Sequence, residues 1–384
     1  MSTLIRSTEA AALLNVSKPT LYAYVSRGRL TRTTGADGRT SLFARDEVER
    51  LAQRSRRAST GPRPTIDVQI SSGVTTIDES SVSYHGHDVG DLAAGHGFED
   101  VAELLWSGRN RPIPSGTSWP ALAAADRTGL APIGPLRLSP IARIATAANV
   151  LAEIHPDDAP GDAARRVLLA VPDVLGSPRR TGRYAHRLTA AWRRRPTPEL
   201  VDAIDTALVL LADHELATST LAVRIAASVR ASPYVAFTAG LAGMEGPLHG
   251  AASAEANRFL AACAVDRPAP VIARMLADRQ HIPGFGHKVY RGIDPRFPPL
   301  FDCVRRLDPD AAGMVEAVVA EAGRVMSHQP NVDLALGALT RAAGLSPNIP
   351  LFAIARIAGW AAHYAEEVGE APVRFRGVAA PVRC

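Results

Sequence analysis

The sequence predicts a mainly α-helical protein, with a helical body preceded by a small winged helix-turn-helix module. Three observations carry this expectation. Long stretches beyond residue 197 repeat apolar residues every three to four positions, the period of a helix with one buried face. No part of the body alternates strands with helices in the way that builds a parallel sheet. Residues 1–63 are set apart by charge, with twelve cations (eleven Arg and Lys18) against five acids, whereas the whole 384-residue chain carries only +5.

In chain order, "STEAAALL" begins with a Ser cap and sets Ala11, Leu13 and Leu14 on one short helix face. "NVS" makes a turn, and Ser17 with Pro19 opens a second helix that turns Leu21, Tyr22 and Val25 inward before Gly28 ends it. "TRTTGADGRTSLF" then reads as two strands around an Ala-Asp-Gly-Arg turn, and a charged third helix follows. Helix, tight turn, helix and hairpin make a winged helix-turn-helix over residues 1–53. The stretch "SKPTLYAYVSRG" resembles the excisionase-type, MerR-like DNA-binding module. That resemblance implies that the second helix enters the major groove with Lys18, Thr20 and Tyr24, and that Arg39 sits on the wing. The +7 of residues 1–63 fits DNA as a partner. A solvated arginine-rich face, or a module kept for docking or dimerisation, accounts for the same residues without DNA.

"RSRRASTGPRPT" (54–65) is polar, lacks apolar periodicity and holds Gly61, Pro62 and Pro64, so it reads as a linker to a body over 66–384. "VQISSGVTTIDESSVSYHG" (68–86) is the one strand-and-turn region of that body. Residues 198–229 and 311–326 read as amphipathic helices. "PLFAIARIAGWAAHYAEEV" (350–368) is apolar on nearly all sides and is expected to be a buried helix.

Composition narrows the class. With 46% hydrophobic and 21% charged residues the chain is globular, and no apolar run reaches the roughly 18 residues that span a bilayer. The start lacks the pattern of a secretory signal. Cys263, Cys303 and Cys384 are scattered and without metal-ligand spacing, which reads as free thiols in a reducing cytoplasm.

Four segments concentrate His, Arg and Asp beside glycine or proline: "ADHELATST" (212–220), "GMEGPLHGAAS" (243–253), "HIPGFGHKVYRGIDPRFPPLF" (281–301) and "SHQPNVDLALGAL" (327–339). Together and in this order they resemble the citrate synthase family, over about Ile66 to Arg376. The family is similar in its Gly-Pro-Leu-His-Gly segment, its Gly-Phe-Gly-His segment followed by Asp-Pro-Arg, and its Asn-Val-Asp segment. The resemblance implies an almost wholly helical body with a large and a small domain, the latter within about residues 232–345. It implies a homodimer that condenses acetyl-coenzyme A with oxaloacetate, with no metal and no cofactor beyond the acyl-CoA co-substrate.

The chemistry explains those residue types. A thioester methyl is a very weak carbon acid, so a base and a donor to the carbonyl oxygen must act together to form an enol. By motif position Asp333 is the base, His249 the donor to the thioester, and His287 the group that polarises the ketone of oxaloacetate. The dianion needs planar cations, for which the resemblance offers Arg296, Arg356 and Arg374 with His214, Arg376 being the alternative to Arg374. Lys288 and Arg291 are the candidates for coenzyme A phosphates. Arg356 lies in an apolar helix, where an unpaired charge costs several kcal/mol. A bound anion or an internal acid such as Glu366 is the expected partner.

Three departures bear on substrate. Ala217 stands where the family usually has Asn, "RFR" replaces Arg-Pro-Arg, and "YHG" at 84–86 replaces Tyr-Arg-Gly. Two rival readings follow. One is a 2-methylcitrate synthase using propionyl-CoA, and the other is a DNA-binding regulator whose synthase-like body senses a metabolite.

Overall fold

A computed structural model describes, within the first 69 residues, positions 4–14, 21, 25, 30–35, 40–45 and 47–48. From 70 to 376 it describes all but 110, 247, 248 and 279. The chain forms two compact units, Met1–Ser71 and Ser72–Cys384.

In the first unit, β1 (Leu4–Arg6) leads directly into α1 (Ser7–Leu14), and β2 (Thr33–Thr34) and β3 (Ser41–Ala44) form the hairpin. The sheet order is β1-β3-β2, antiparallel throughout, with Ile5 opposite Phe43 and Thr33 opposite Leu42. Ile5, Ala10, Ala11, Leu21, Leu30, Phe43 and Val48 make the small core. The strand β1 adds a third member to the expected two-stranded hairpin. Lys18, Thr20, Tyr24 and Arg39 lie outside the described residues.

The second unit opens with an antiparallel meander, β4 (Thr75–Ile77), β5 (Val82–Tyr84) and β6 (His87–Asp88). Two short helices follow, α2 (Val89–Gly95) and α3 (Phe98–Ser107), and then α4 (Ala124–Leu130). Next come α5 (Pro140–Ile154), α6 (Pro160–Val174), α7 (Tyr184–Trp192), α8 (Pro198–Leu211), α9 (Thr218–Ser228) and α10 (Pro233–Glu245). Then α11 (Ala252–Asp266), α12 (Pro268–Ala277), α13 (Phe297–Leu307), α14 (Pro309–Val325), α15 (Val332–Ala342) and α16 (Leu351–Val368) complete the unit. Proline sets many of the starts, because its fixed φ suits the first turn, where its missing N–H costs nothing. Ser139, Thr197 and Ser232 each precede such a proline and accept a backbone N–H of the first turn.

The periodic stretch 198–229 is two helices, not one. Between them Asp213 is fully buried and fixed from three sides. Its carboxylate accepts from Thr75 Oγ1 (2.5 Å), from the Glu215 N–H (3.1 Å) and from His363 Nε2 (3.2 Å). Its backbone N–H donates to Tyr84 Oη, and Glu215 adopts a positive φ of 50°. These bonds from β4, β5 and α16 offset the helical continuation that local periodicity favours.

Helix α16 runs through the core and packs on α6, α8 and α9. Gly359 permits the closest of these approaches, since a Cβ there would lie 2.3 Å from Asp213 Oδ1 and its N–H reaches Ala212 O at 3.0 Å. Earlier in the chain, α11 crosses α15 in similarly close contact. A Cβ on Gly337 would meet the Asn257 nitrogen at 2.6 Å, and Asn257 Nδ2 donates to Gly337 O and Thr340 Oγ1. Among the described residues no helix is long and apolar enough to cross a membrane. Cys263 and Cys303 are buried free thiols.

Candidate active site

The loop 281–296 is fastened to the start of α15 by its backbone. Gly286 N–H donates to Gln329 O, Asn331 N–H to Gly284 O and Asp294 N–H to Pro330 O. Gly284 and Gly286 have φ of 83° and 80°, and a Cβ on either would sit within 2.8 Å of Leu334 or His328. Both the backbone angle and the close approach require glycine there. Asn331 caps α15 by accepting the Asp333 N–H (3.0 Å) and returns Nδ2 to Gly286 O (2.7 Å), so one residue ties the candidate base to the histidine loop.

On that frame the histidines converge. The His214 and His287 rings lie edge to face with centroids 5.2 Å apart, and both contact Tyr290. Tyr290 stacks on His287 at 4.4 Å and places its hydroxyl 2.9 Å from His214 Nε2. His287 Nδ1 accepts the backbone N–H groups of Val289 (3.1 Å) and Tyr290 (3.4 Å), which leaves the ring proton on Nε2. Burial, then Arg296 and Lys288, lower the His287 pKa against the opposing pull of Asp294. His214 is lowered well below the ordinary value by burial, then by Arg296 and Arg356. His249 Nε2 lies 3.0 Å from the buried Ser219 hydroxyl, and burial, Arg356 and Lys288 lower its pKa too. All three are held as neutral imidazoles, able to donate one hydrogen bond without carrying charge.

Two arginines are buried in the same region. Arg296 makes a two-point bond to Asp294 (3.0 and 2.8 Å), whose Oδ2 also accepts the Val332 N–H; Arg296 Nη1 has no acceptor among the described residues. Arg356, only 2% exposed, has no acceptor at Nε or Nη1 among the described residues, and its guanidinium lies 4.8 Å from the Phe352 ring centroid. Burial pushes its pKa down to about 10, with Asp213 as the main opposing influence. Glu366 is not its partner, because that carboxylate accepts from Arg224 Nη1 (2.8 Å) and the Gly73 N–H (2.7 Å). The Asp333 carboxyl is pushed up to about 6, mainly by burial, with Arg296 and Arg356 opposing and Asp294 and Glu255 reinforcing.

The remaining sequence candidates are arranged differently. Lys288 and Arg291 are exposed, and Arg291 pairs with Glu79 at 2.8 Å. Arg374 is engaged by Glu367 through two bonds of 2.7 and 2.6 Å, and Arg376 is exposed. Sequence reasoning did not single out Tyr290, Ser219, Asp294 or Asn331. All four lie inside the quoted motifs, but only tertiary contacts reveal what each holds.

Comparisons with known proteins match both parts of the chain. The family model for the citrate synthase C-terminal domain matches residues 67–376, and a helix-turn-helix domain model matches residues 4–56. Citrate synthase 2 of Bacillus subtilis is 27% identical over 78% of this chain and 90% of its own length. The 2-methylcitrate synthase of Mycobacterium tuberculosis is 28% identical over 75% of this chain and 81% of its own. In fold the chain is similar to the citrate synthase of Thermotoga maritima, with a TM-score of 0.71 at 24% identity, covering 83% and 94% of the two chains. It is also similar to the Thermoplasma acidophilum enzyme in ternary complex with carboxymethyl coenzyme A and oxaloacetate, at a TM-score of 0.68 and 23% identity, covering 83% and 94%.

Proposed function

This chain belongs to the citrate synthase family, and we propose on that premise that it condenses acetyl-CoA with oxaloacetate to give citrate and free coenzyme A. Asp333 removes a methyl proton from the thioester while His249 donates a hydrogen bond to the thioester oxygen, and the enol forms without a free carbanion. The enol carbon attacks the ketone carbon of oxaloacetate. His287 donates its Nε2 proton to the ketone oxygen, which becomes the citrate hydroxyl, and the proton taken by Asp333 returns through water to His287. Water then cleaves the citryl thioester, its hydroxyl going to the acyl carbon and its proton to the departing coenzyme A thiolate. Arg296, Arg356 and His214 hold the carboxylates, and Lys288 and Arg291 meet the coenzyme A phosphates. Arg374 is assigned to a carboxylate in a neighbouring subunit's site, with Arg376 as the alternative.

The observation that carries this reading is Arg356, a buried cation with unmet donors beside neutral histidines and a carboxylate of raised pKa. A dianionic keto acid supplies what those donors lack. The test is to follow [2-13C]oxaloacetate by NMR on adding the protein and acetyl-CoA. Replacement of the ketone resonance by that of a quaternary carbinol supports the reading, and a persistent ketone signal sinks it.

Propionyl-CoA is the second acyl substrate to test, supported by the mycobacterial 2-methylcitrate synthase relative; one methylene in an apolar pocket discriminates by only about 1–3 kcal/mol. A homodimer is supported by Ile225, Val229 and Val235, which leave apolar side chains exposed on and between α9 and α10. For residues 1–53 the helix-turn-helix match, with the +7 charge of residues 1–63, supports sequence-specific DNA binding through Lys18, Thr20, Tyr24 and Arg39. Selection from random duplexes at about 150 mM salt, where nonspecific attraction is screened, tests it. Recovery of a motif supports the assignment, and binding that vanishes without a motif overturns it.

A further inference from the structure

We infer that Tyr290 is a positioning residue of the keto-acid site, holding His214 by its hydroxyl and His287 by its ring and backbone. Three independent contacts meet in this one residue. Its hydroxyl is 2.9 Å from His214 Nε2, its ring stacks on His287 at 4.4 Å and 26°, and its backbone N–H donates to His287 Nδ1 at 3.4 Å. The Arg296 guanidinium lies 5.8 Å from the same ring's centroid. Tyr290 is itself only 3% exposed and sits within the loop, between its points of attachment to the start of α15 at Gly284 and Gly286 and at Asp294, so it cannot follow a rotating histidine.

The division of labour follows from chemistry. A hydroxyl within hydrogen-bond distance of Nε2 fixes the torsion of His214, the ring whose neutral state burial and two arginines enforce. The stack and the two backbone N–H groups fix the plane and tautomer of His287, so its Nε2 proton points where a ketone oxygen can be met. Losing the hydroxyl therefore loosens ground-state capture of the keto acid, and losing the ring also loosens the group that polarises it. The inference rests on the proposed condensation for the substrate's identity, but the contacts to the histidines do not.

The test compares Tyr290→Phe with Tyr290→Leu in the full chain. Phe keeps the stack and removes the hydroxyl, so KM for oxaloacetate is expected to rise about tenfold, the worth of one good hydrogen bond, with kcat within about threefold. Leu removes both and is expected to lower kcat at least tenfold as well. In the ligand-free protein, 15N resonances of labelled histidine report the bond directly. Tyr290→Phe should move the His214 Nε2 signal and leave that of His249 in place. An unmoved His214 signal overturns the inference, as does a KM within twofold of wild type. If the wild type gives no turnover with oxaloacetate, the functional reading fails, and the ligand-free resonances alone decide whether Tyr290 holds His214.

Discussion

Replacing Arg356 by methionine separates a structural arginine from one held ready for a ligand. The side chain is 2% exposed and lacks an acceptor among the described residues at two of its nitrogens, and burial pushes its pKa down to about 10. A displacement of that size from the ordinary value corresponds to about 3 kcal/mol. The sign follows from the direction. For a cation the folded protein binds its proton less tightly than the unfolded chain, so the cost is present at every pH below about 10 and is relieved only as pH rises above it. At neutral pH methionine escapes that cost and fills a similar volume. It forfeits the contact with the Phe352 ring, worth about 0.5–2 kcal/mol. The balance favours the variant by about 1–2 kcal/mol, so ligand-free Arg356→Met is expected to melt at or a few degrees above wild type. Oxaloacetate should stabilise wild type and not the variant, and KM for oxaloacetate should rise at least 30-fold, as when one member of a buried charge pair is removed. Thermal unfolding with and without oxaloacetate gives both readings. A ligand-free variant that melts well below wild type would mean that Arg356 has an internal partner, and the reasoning would fail.

Four further outcomes are expected. Asp333→Asn keeps the shape of the base but not its proton affinity, so turnover should fall at least 100-fold with oxaloacetate affinity kept; near-normal turnover in a folded variant refutes the assignment. With the Asp333 carboxyl at about 6, the base is ionised above that pH, so kcat/KM for acyl-CoA should fall tenfold per pH unit on the acid side, and a profile flat to pH 5 contradicts it. Gly359→Ala forces a methyl to within 2.3 Å of Asp213 Oδ1 and pushes α16, with Arg356, off the 212–217 loop. Denaturant titration should show a loss of about 1–3 kcal/mol or more. Ala217→Asn supplies the side-chain cap that α9 lacks and should raise stability by about 1 kcal/mol in the same titration.

Several parts of this structure were legible in the sequence because their cause is local. The all-round apolar character of 350–368 fixes α16 as a buried helix, and the glycine-histidine loop announces itself through residues that tolerate positive φ. Other parts have distant causes. The break between α8 and α9 is imposed by Thr75, Tyr84 and His363, while the local pattern runs on unbroken. Three residues of β1 are too few to show a period. The suggestion of Glu366 as a partner for Arg356 overlooked helix geometry. Ten residues along one helix separate the two by roughly 15 Å, and Glu366 turns to Arg224 on α9 instead. Tyr290 lies in the quoted 281–301 segment without a role readable there, since its importance lies in which rings it touches.

The central claim is tested most directly by release of the coenzyme A thiol, followed with a thiol reagent in the presence of oxaloacetate and either acetyl- or propionyl-CoA. The account predicts release that requires both substrates, collapses at least 100-fold in Asp333→Asn, and is faster with acetyl-CoA. Release that is independent of oxaloacetate, or undetectable with both acyl donors in a folded protein, would contradict it.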